Sequence, residues 1–563
     1  MPLNRLYPNS NDPVSIQQTD LSIDVLGRFS CNTLEEALSS GHFDVIVIGS
    51  GMYGGYTAAK LWAEKPHLRI LLLEAGPFLI SEHVQNLSRI GYDIFPPVSG
   101  QPYVAPHEHA AVSHYYCVGG KSLGWGKWSP QLTEADLQNW PTEAANYLRE
   151  NYDRVEREIG VTPREDFIYG DLADKFSAHI NAVLASDPNF SDLSSDIAPI
   201  AAQSKAPSSG LYSFDAFSSV ITLIDAVRGD IAEAGPVNNQ ARRLMLVPRA
   251  RAFGMRFTGN QVSAIQLARG RDQNYSEIPV TPQTRVLLGL GSMETTRLVL
   301  NSIPQGPSRG LVGRNLMAHL RSNFNVRVHR SELGLELGTS LQPTAFHVQG
   351  DSNGRRYHFQ VLVAADNTHR VESILYRMVP DFDSLKAMLA AQKSDWITVR
   401  ILTVGEMKGF PDQPIYSPDT YWCDLSPYEF DIVAGQTLPK LYAHWVLRAE
   451  DAAFWDEMDG RAIQFAQALV DDPSKIEFQQ ADGQWTTNPR PAGSFRDSLG
   501  STFHESGTLW MGDDPAHSVT NVNGRFHEFQ NLYALDQSIF PAVGSANPVL
   551  TGLTICRKIV EGI

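Results

Sequence analysis

The sequence is poor in cysteine. Its four, Cys31, Cys117, Cys423 and Cys556, lie far apart and form no C-x-x-C. That excludes a disulfide-built scaffold and a cysteine metal centre, and reads as free thiols in a reducing compartment. Long apolar runs are missing too: none approaches the roughly 18 residues of a membrane span. The start, MPLNRLYPNS, shows no basic segment leading into an apolar one, so no secretion signal is read. The expected location is the cytoplasm, with no membrane partner. Basic charge is in deficit, 46 Lys and Arg against 62 Asp and Glu, a formal net charge of −16. That argues against nucleic acid as a partner; plain solubility accounts for the surplus of acid. No internal repeat or low-complexity tract is present. What remains is an ordinary globular composition, 42% apolar, on 563 residues, too many for one core and suggestive of two or three domains.

The stretch that organises the chain runs from Phe43 to Gly76. Phe43 to Ile48 is a short Val/Ile-rich run, the pattern of a strand buried on both faces. Gly49-Ser50-Gly51-Met52-Tyr53-Gly54 follows, a G-x-G-x-x-G, then a helix-compatible segment, and then a second apolar run, Ile70 to Leu73, ending in Glu74. Alone the glycine motif is weak. Set between strand and helix, with an acid 20 residues after its last glycine, it is a strong dinucleotide-binding signal. Gly49 permits the tight turn and Gly51 the approach of a pyrophosphate. Gly54 permits close packing of helix on strand. Met52 and Tyr53 open the helix whose N-terminus favours the phosphate charge, and Glu74 would accept from a ribose. This unit does not tell FAD from NAD.

Along the rest of the chain, residues 1–40 read as a polar arm, packed on the body or on a partner subunit, with a short helix around Leu34 to Leu38. A long proline-rich loop runs to about Ser113. The histidines in or beside it, His107, His109 and His114, read as surface or loop residues, since no Cys or carboxylate completes a metal site. Residues 118–126, VGGKSLGWG, hold four glycines, backbone in unusual conformations or close to a neighbour. Residues 133–160 read as a helix, 223–234 as another, and 245–247 and 261–267 as strands. TRVLLGLGSMETTRLVLNS, 284–302, gives a second strand–Gly turn–helix. From 321 the apolar residues alternate, as in half-buried strands of a mostly antiparallel sheet with one face available: around Phe324 to Val328, Tyr357 to Val363, Trp396 to Val404 and Leu441 to Leu447. A helix is expected at 452–470. At the end, Asn547 can N-cap a helix whose first residue is Pro548, with Val549, Leu553, Cys556 and Val560 on one face.

Taken together, the glycine unit with Glu74, VGGKSLGWG, GLGSMETTRLVL, VGRNLMAH, FHESGTLWMG (503–512) and LDQSIFPAVGSANPVLTG (535–552) resemble the glucose–methanol–choline (GMC) flavoprotein oxidoreductases. The loop and the Asn of SANPVLTG are similar to the pyranose oxidase branch. The resemblance implies an α/β fold. It has a Rossmann-like FAD-binding domain (41–320 and 496–563, after an arm of 1–40) and a second, α+β substrate domain, 321–495, on a mostly antiparallel sheet. It implies oxidation of a CH–OH group, with hydride passing to flavin N5. His504 would be the base, since a neutral imidazole can take a hydroxyl proton, and Asn547 would orient the substrate oxygen. For Asn547 the helix-cap reading stands beside the catalytic one. The cofactor set implied is Gly49, Gly51, Met52, Tyr53, Gly54, Glu74, Gly119, Gly120, Ser122, Asp536, Gln537, Pro548 and Val549, with no metal. Val549 and its neighbours supply free helix N–H groups for the charge of a reduced flavin. Where the best-known pyranose oxidases carry a His before the loop Trp, for a covalent flavin link, this chain has Gly124, so FAD is expected to bind non-covalently. Glu505 and Trp510 stand next to the base in sequence. Expected partners are an alcohol or sugar, most plausibly a sugar or glycoside, and O2 or another electron acceptor. A non-sugar alcohol, a non-redox lyase on the same scaffold, and a homo-oligomer all stay open.

Overall fold

A computed structural model gives the fold and describes residues 27–86, 103–104, 114–161, 170–203, 209–235, 238–270, 272–334, 342–365, 388, 391 and 393–563. His107, His109 and most of the arm lie outside the described residues. The first sheet is parallel throughout, in the order β18 (Leu532–Ala534), β9 (Arg285–Leu288), β1 (Val45–Ile48), β2 (Ile70–Leu73), β5 (Leu244–Val247). Every residue of β1, β2 and β5 is buried, as a parallel strand covered on both sides requires. The C-terminal ends of β1, β2, β9 and β18 therefore open on one rim, carrying Gly49, Glu74, Gly289 and Asp536. In open α/β sheets ligands sit on that rim.

The second sheet has seven strands, in the order β17 (Trp485–Thr486), β16 (Ile476–Gln479), β10 (Ala318–His329), β13 (Trp396–Met407), β12 (Arg355–Ala365), β11 (Gln342–Ser352), β4 (Ser194–Ile197), with antiparallel pairing throughout. A meander of β6 (Ala250–Thr258), β7 (Gln261–Arg269) and β8 (Asn274–Pro279) and a small sheet of β14 (Trp422–Val433), β15 (Gln436–His444) and β3 (Tyr103–Val104) complete the strands. Apolar residues of both large sheets belong to one contiguous core, which includes Val47, Leu287, Phe359, Ile401 and Met458.

Four local expectations are corrected. The central antiparallel strands are not half-buried: β12 and β13 are buried along almost their whole length. The helix Ala449–Gln467 packs on one face, and Trp128, Ile200 and Ala198 join Leu362 and Leu402 on the other. Leu441 to Leu447 supplies a strand of the small sheet rather than the large one. The single helix expected over 133–160 is two, Glu134–Leu137 and Thr142–Ile159. Pro141 separates them, because proline lacks an N–H and disfavours helix in the residue before it. The last helix, Val549–Gly562, is buried all round from Leu550 to Val560 rather than along one stripe. It lies against both Met52–Glu64 and Thr142–Ile159, and its polar Arg557 and Lys558 bond to Glu64 and Glu143. Leu34–Ser39 forms the expected short helix, with Thr33 and Glu36 as a reciprocal cap.

Candidate active site

The glycine loop forms a cradle. Gly49 sits at φ +94°, and a Cβ on Gly54 would lie 1.9 Å from the Gly49 carbonyl oxygen, so no side chain fits where the helix Met52–Glu64 crosses β1. Gly51 is the N-cap of that helix, with no side-chain cap, and a Cβ there would meet nothing within 4 Å. Open space in front of uncapped helix N–H groups is what a pyrophosphate needs. Gly119 (φ +93°) and Gly120 (φ +50°) bring the second glycine loop against Gly51: a Cβ on Gly120 would be 3.2 Å from the Gly51 Cα. Glu74 is engaged within the loop. One oxygen accepts from the Ser50 N–H (3.1 Å) and hydroxyl (2.7 Å), the other from the Gly76 N–H (2.9 Å). Burial raises its pKa, and these hydrogen bonds oppose the rise.

Other residues of the expected cofactor set also make contacts within the protein. Asp536 is fully buried; it accepts from Gly291 N–H (3.0 Å), the Thr295 hydroxyl (2.5 Å) and Ser538 N–H (3.0 Å), tying the turn after β9 to the turn after β18. The Gln537 amide oxygen accepts from the Tyr53 hydroxyl (2.6 Å), and its NH2 donates to the Phe503 carbonyl (3.3 Å). That links the dinucleotide helix to the residue before His504. Phe503 itself holds φ +56°, a sparsely populated conformation for a bulky side chain. The Ser122 hydroxyl is buried against the Gly119 carbonyl and Ser218. Pro548 is the N-cap of the last helix and Val549 its first residue, and no side chain caps it.

Asn547 is therefore not the cap, as the sequence allowed; it stands one residue too early, and its side chain is committed elsewhere. Its Oδ1 accepts from Gln360 Nε2 at 3.0 Å, and its Nδ2 faces His504 Nε2 at 3.5 Å. The other ring nitrogen of His504, Nδ1, lies 2.7 Å from Nδ1 of His319, whose Nε2 is 3.0 Å from the Gly544 carbonyl oxygen. Burial, with His319, Arg321 and Lys121 nearby, holds the His504 imidazole well below its ordinary pKa, so it is neutral at pH 7. Burial likewise lowers His319, to about 4. Gln360 continues to His358 Nε2 at 3.2 Å, and the His358 ring packs edge-on against His347, centroids 4.5 Å apart.

His319, Gln360, His358 and His347 were not singled out in the sequence. His319 closes VGRNLMAH, read only as a glycine-punctuated link; polar side chains inside apolar strands, His347 in β11 and His358 and Gln360 in β12, were the signal for the others. Lys121 lies 4.0 Å from the buried Glu505 and over the Phe503 ring. Trp510 is turned to the His517 carbonyl (2.9 Å). His114 is a loop residue but buried, not on the surface. All four cysteines are buried. Among the described residues no group of three His, Cys, Asp or Glu is placed to hold a metal ion, and no helix is long and apolar enough to cross a membrane.

Residues 435–555, which include both His504 and Asn547, match the C-terminal family described as GMC oxidoreductase. The chain is 22% identical to an oxygen-dependent choline dehydrogenase of Citrobacter koseri over 93% of its length and 95% of the relative's. It is 23% identical to a 5-(hydroxymethyl)furfural oxidase of Methylovorus sp. over 92% and 98%. A 48-residue stretch, 8% of the chain and 9% of the relative, is 46% identical to a 6'''-hydroxyparomomycin C oxidase of Streptomyces lividus. The crystal structure of pyridoxine 4-oxidase from Mesorbium loti shares the fold, with a TM-score of 0.56 at 16% identity over 92% of this chain and 99% of that one. Over residues 435–555 the chain is thus similar to the GMC oxidoreductases, and over nearly its full length to these two relatives at 22% and 23% identity.

Proposed function

We propose that the protein oxidises a CH–OH group with His504 as the base, on a sugar or glycoside. The observation that carries this reading is the facing pair. His504 Nε2 and Asn547 Nδ2 are 3.5 Å apart, at the far limit of a hydrogen bond, so both can turn to a third atom. A substrate hydroxyl beside them gives its proton to Nε2, while its oxygen accepts from the Asn547 amide. The two contacts fix the carbinol carbon in one orientation. FAD, when bound, supplies the hydride acceptor. The cradle fits it: open space lies before the uncapped helix at Gly51, Gly119 and Gly120 close against that loop, and the N-terminus at Val549 offers N–H groups toward negative charge. Gly124 and no histidine stands before Trp125, which favours a non-covalent cofactor.

The preference for a polyhydroxylated substrate rests on the polar file Asn547, Gln360, His358 beside the pair, and on the likeness of the loop and of SANPVLTG to pyranose oxidases. A short stretch shared with an oxidase named for a hydroxyparomomycin points the same way. The likeness to relatives named for choline and 5-(hydroxymethyl)furfural keeps a non-sugar alcohol as the second reading. The test is an anaerobic absorbance titration with D-glucose, methyl β-D-glucopyranoside, choline and benzyl alcohol. Bleaching by a sugar or glycoside supports the first reading, bleaching by choline or benzyl alcohol alone the second. His504→Ala should keep its FAD and lose about 10³-fold or more in kcat; full turnover in that variant would sink the assignment of the base.

A further inference from the structure

The hydrogen-bond order around His504 can be worked out from one fixed end. The Gly544 carbonyl oxygen only accepts, so His319 Nε2, 3.0 Å away, carries a proton. His319 is neutral, its pKa lowered by burial to about 4, so its Nδ1 is a lone pair. His504 Nδ1, 2.7 Å from it, must then be the donor. A neutral imidazole has one N–H, so His504 Nε2 is left bare and faces the Asn547 amide. Asn547 presents its NH2 there and its oxygen to Gln360, and Gln360 presents its own NH2 to both Asn547 and His358.

We infer that His319 is a positioning residue: by accepting from His504 Nδ1–H, with its own tautomer fixed by the Gly544 carbonyl, it holds the His504 lone pair on Nε2, where the substrate hydroxyl arrives. This rests on the reading of His504 as the base. It gives His319, which lies behind the ring, the orienting task that a buried carboxylate has in a serine-protease triad. A neutral acceptor suits a base that works in the neutral form, since a carboxylate there would raise the histidine pKa.

The test compares His319→Leu, which fills the space without an acceptor, with His319→Asn, whose side-chain oxygen stands where Nδ1 stood. Ring-15N-histidine NMR of the FAD-loaded enzyme, assigned with His504→Asn, reads the tautomer without any substrate. Wild type should show Nδ1 protonated and Nε2 bare, His319→Asn the same, and His319→Leu a loss of that preference, with an Nε2–H form appearing. With whichever probe bleaches the wild-type flavin, kcat should fall about 10³-fold in His319→Leu and less than about tenfold in His319→Asn, with FAD content unchanged. Among the described residues, the other charged or titratable groups acting on His504 are Lys121, Arg321 and His358, and Glu505 pairs with Lys121. A tautomer change, unlike a pKa shift, is not repaired by pH, so the loss should persist at every pH from about 6 to about 9. An unchanged tautomer in His319→Leu, or equal losses in the two variants, overturns the inference. Full turnover in His504→Ala would instead remove the reading beneath it.

Discussion

A neutral imidazole is a base only at the nitrogen that lacks a proton, so at His504 the chemistry turns on the groups behind and beside the ring rather than on the ring alone. Beside it, Gln360 does for Asn547 what His319 does for His504. Its amide donates to Asn547 Oδ1 at 3.0 Å and keeps the Asn547 NH2 turned to the site. Without that donor the Asn547 amide can flip, presenting oxygen to the His504 lone pair and to the substrate oxygen. Gln360→Leu should therefore lower kcat about tenfold, the equivalent of one net hydrogen bond near 1.4 kcal/mol, with FAD content unchanged. Steady-state kinetics on the bleaching substrate checks it, and an unaltered kcat would show that Asn547 is held by something else. Family-like motifs made His504 and Asn547 legible, because both sit in short strings with a chemical reason attached. Gln360 and His319 were not legible, because each acts through a contact between residues 187 and 185 positions apart, and nothing local marks it.

The strand–glycine–helix element was readable, with its strand, Val45–Ile48, starting two residues later than read, because everything that makes it is local: four apolar residues, a turn, a helix, an acid. Its tolerance is correspondingly small. Gly54→Ala would place a methyl 1.9 Å from the Gly49 carbonyl oxygen, and that neighbour is backbone, which cannot swing aside as a flexible side chain would. The helix must move off β1, carrying Gly51 and the uncapped N–H groups with it. The expected cost is at or above the ~3 kcal/mol upper range of core overpacking, read as loss of bound FAD and a lower Tm; a variant with full FAD and wild-type Tm would contradict this packing. Elements assembled from distant parts were less legible. Ser194–Ile197 joins the antiparallel sheet from the far side of the chain, and the burial of β12 and β13 on both faces depends on a helix and on Trp128 that alternation alone does not announce.

Across the whole molecule, the polar groups that shape the site are buried neutral, and that sets how the fold responds to acid. Burial lowers the pKa of His83 to about 3, of His319 to about 4, and of His114 and His358 well below the ordinary range. Unfolded, each would titrate near about 6.5. As pH falls through that value the unfolded chain takes up protons that the folded chain refuses, so stability is fully present above it and declines toward the folded pKa. For His319 alone the gap of about 2.5 units corresponds to roughly 3 kcal/mol. Two effects oppose this. The buried carboxyls of Glu74, Asp536, Glu406 and Asp459 have raised pKa values, so acid favours the fold through them, and acidification also relieves the repulsion of a net charge of −16. The first operates between the ordinary carboxylate pKa and the raised folded values, and salt at about 0.3 M screens the second. We expect the histidines to win between pH 7 and about 5. The Tm of the FAD-loaded enzyme is expected to fall steadily over that interval, and less steeply in His319→Asn, which no longer carries one of these imidazoles. A Tm that is flat or rising from pH 7 to 5, with the same slope in His319→Asn, would mean that His319 takes up a proton in the folded state. The neutral hydrogen-bond order from Gly544 to Gln360 would then have to be abandoned.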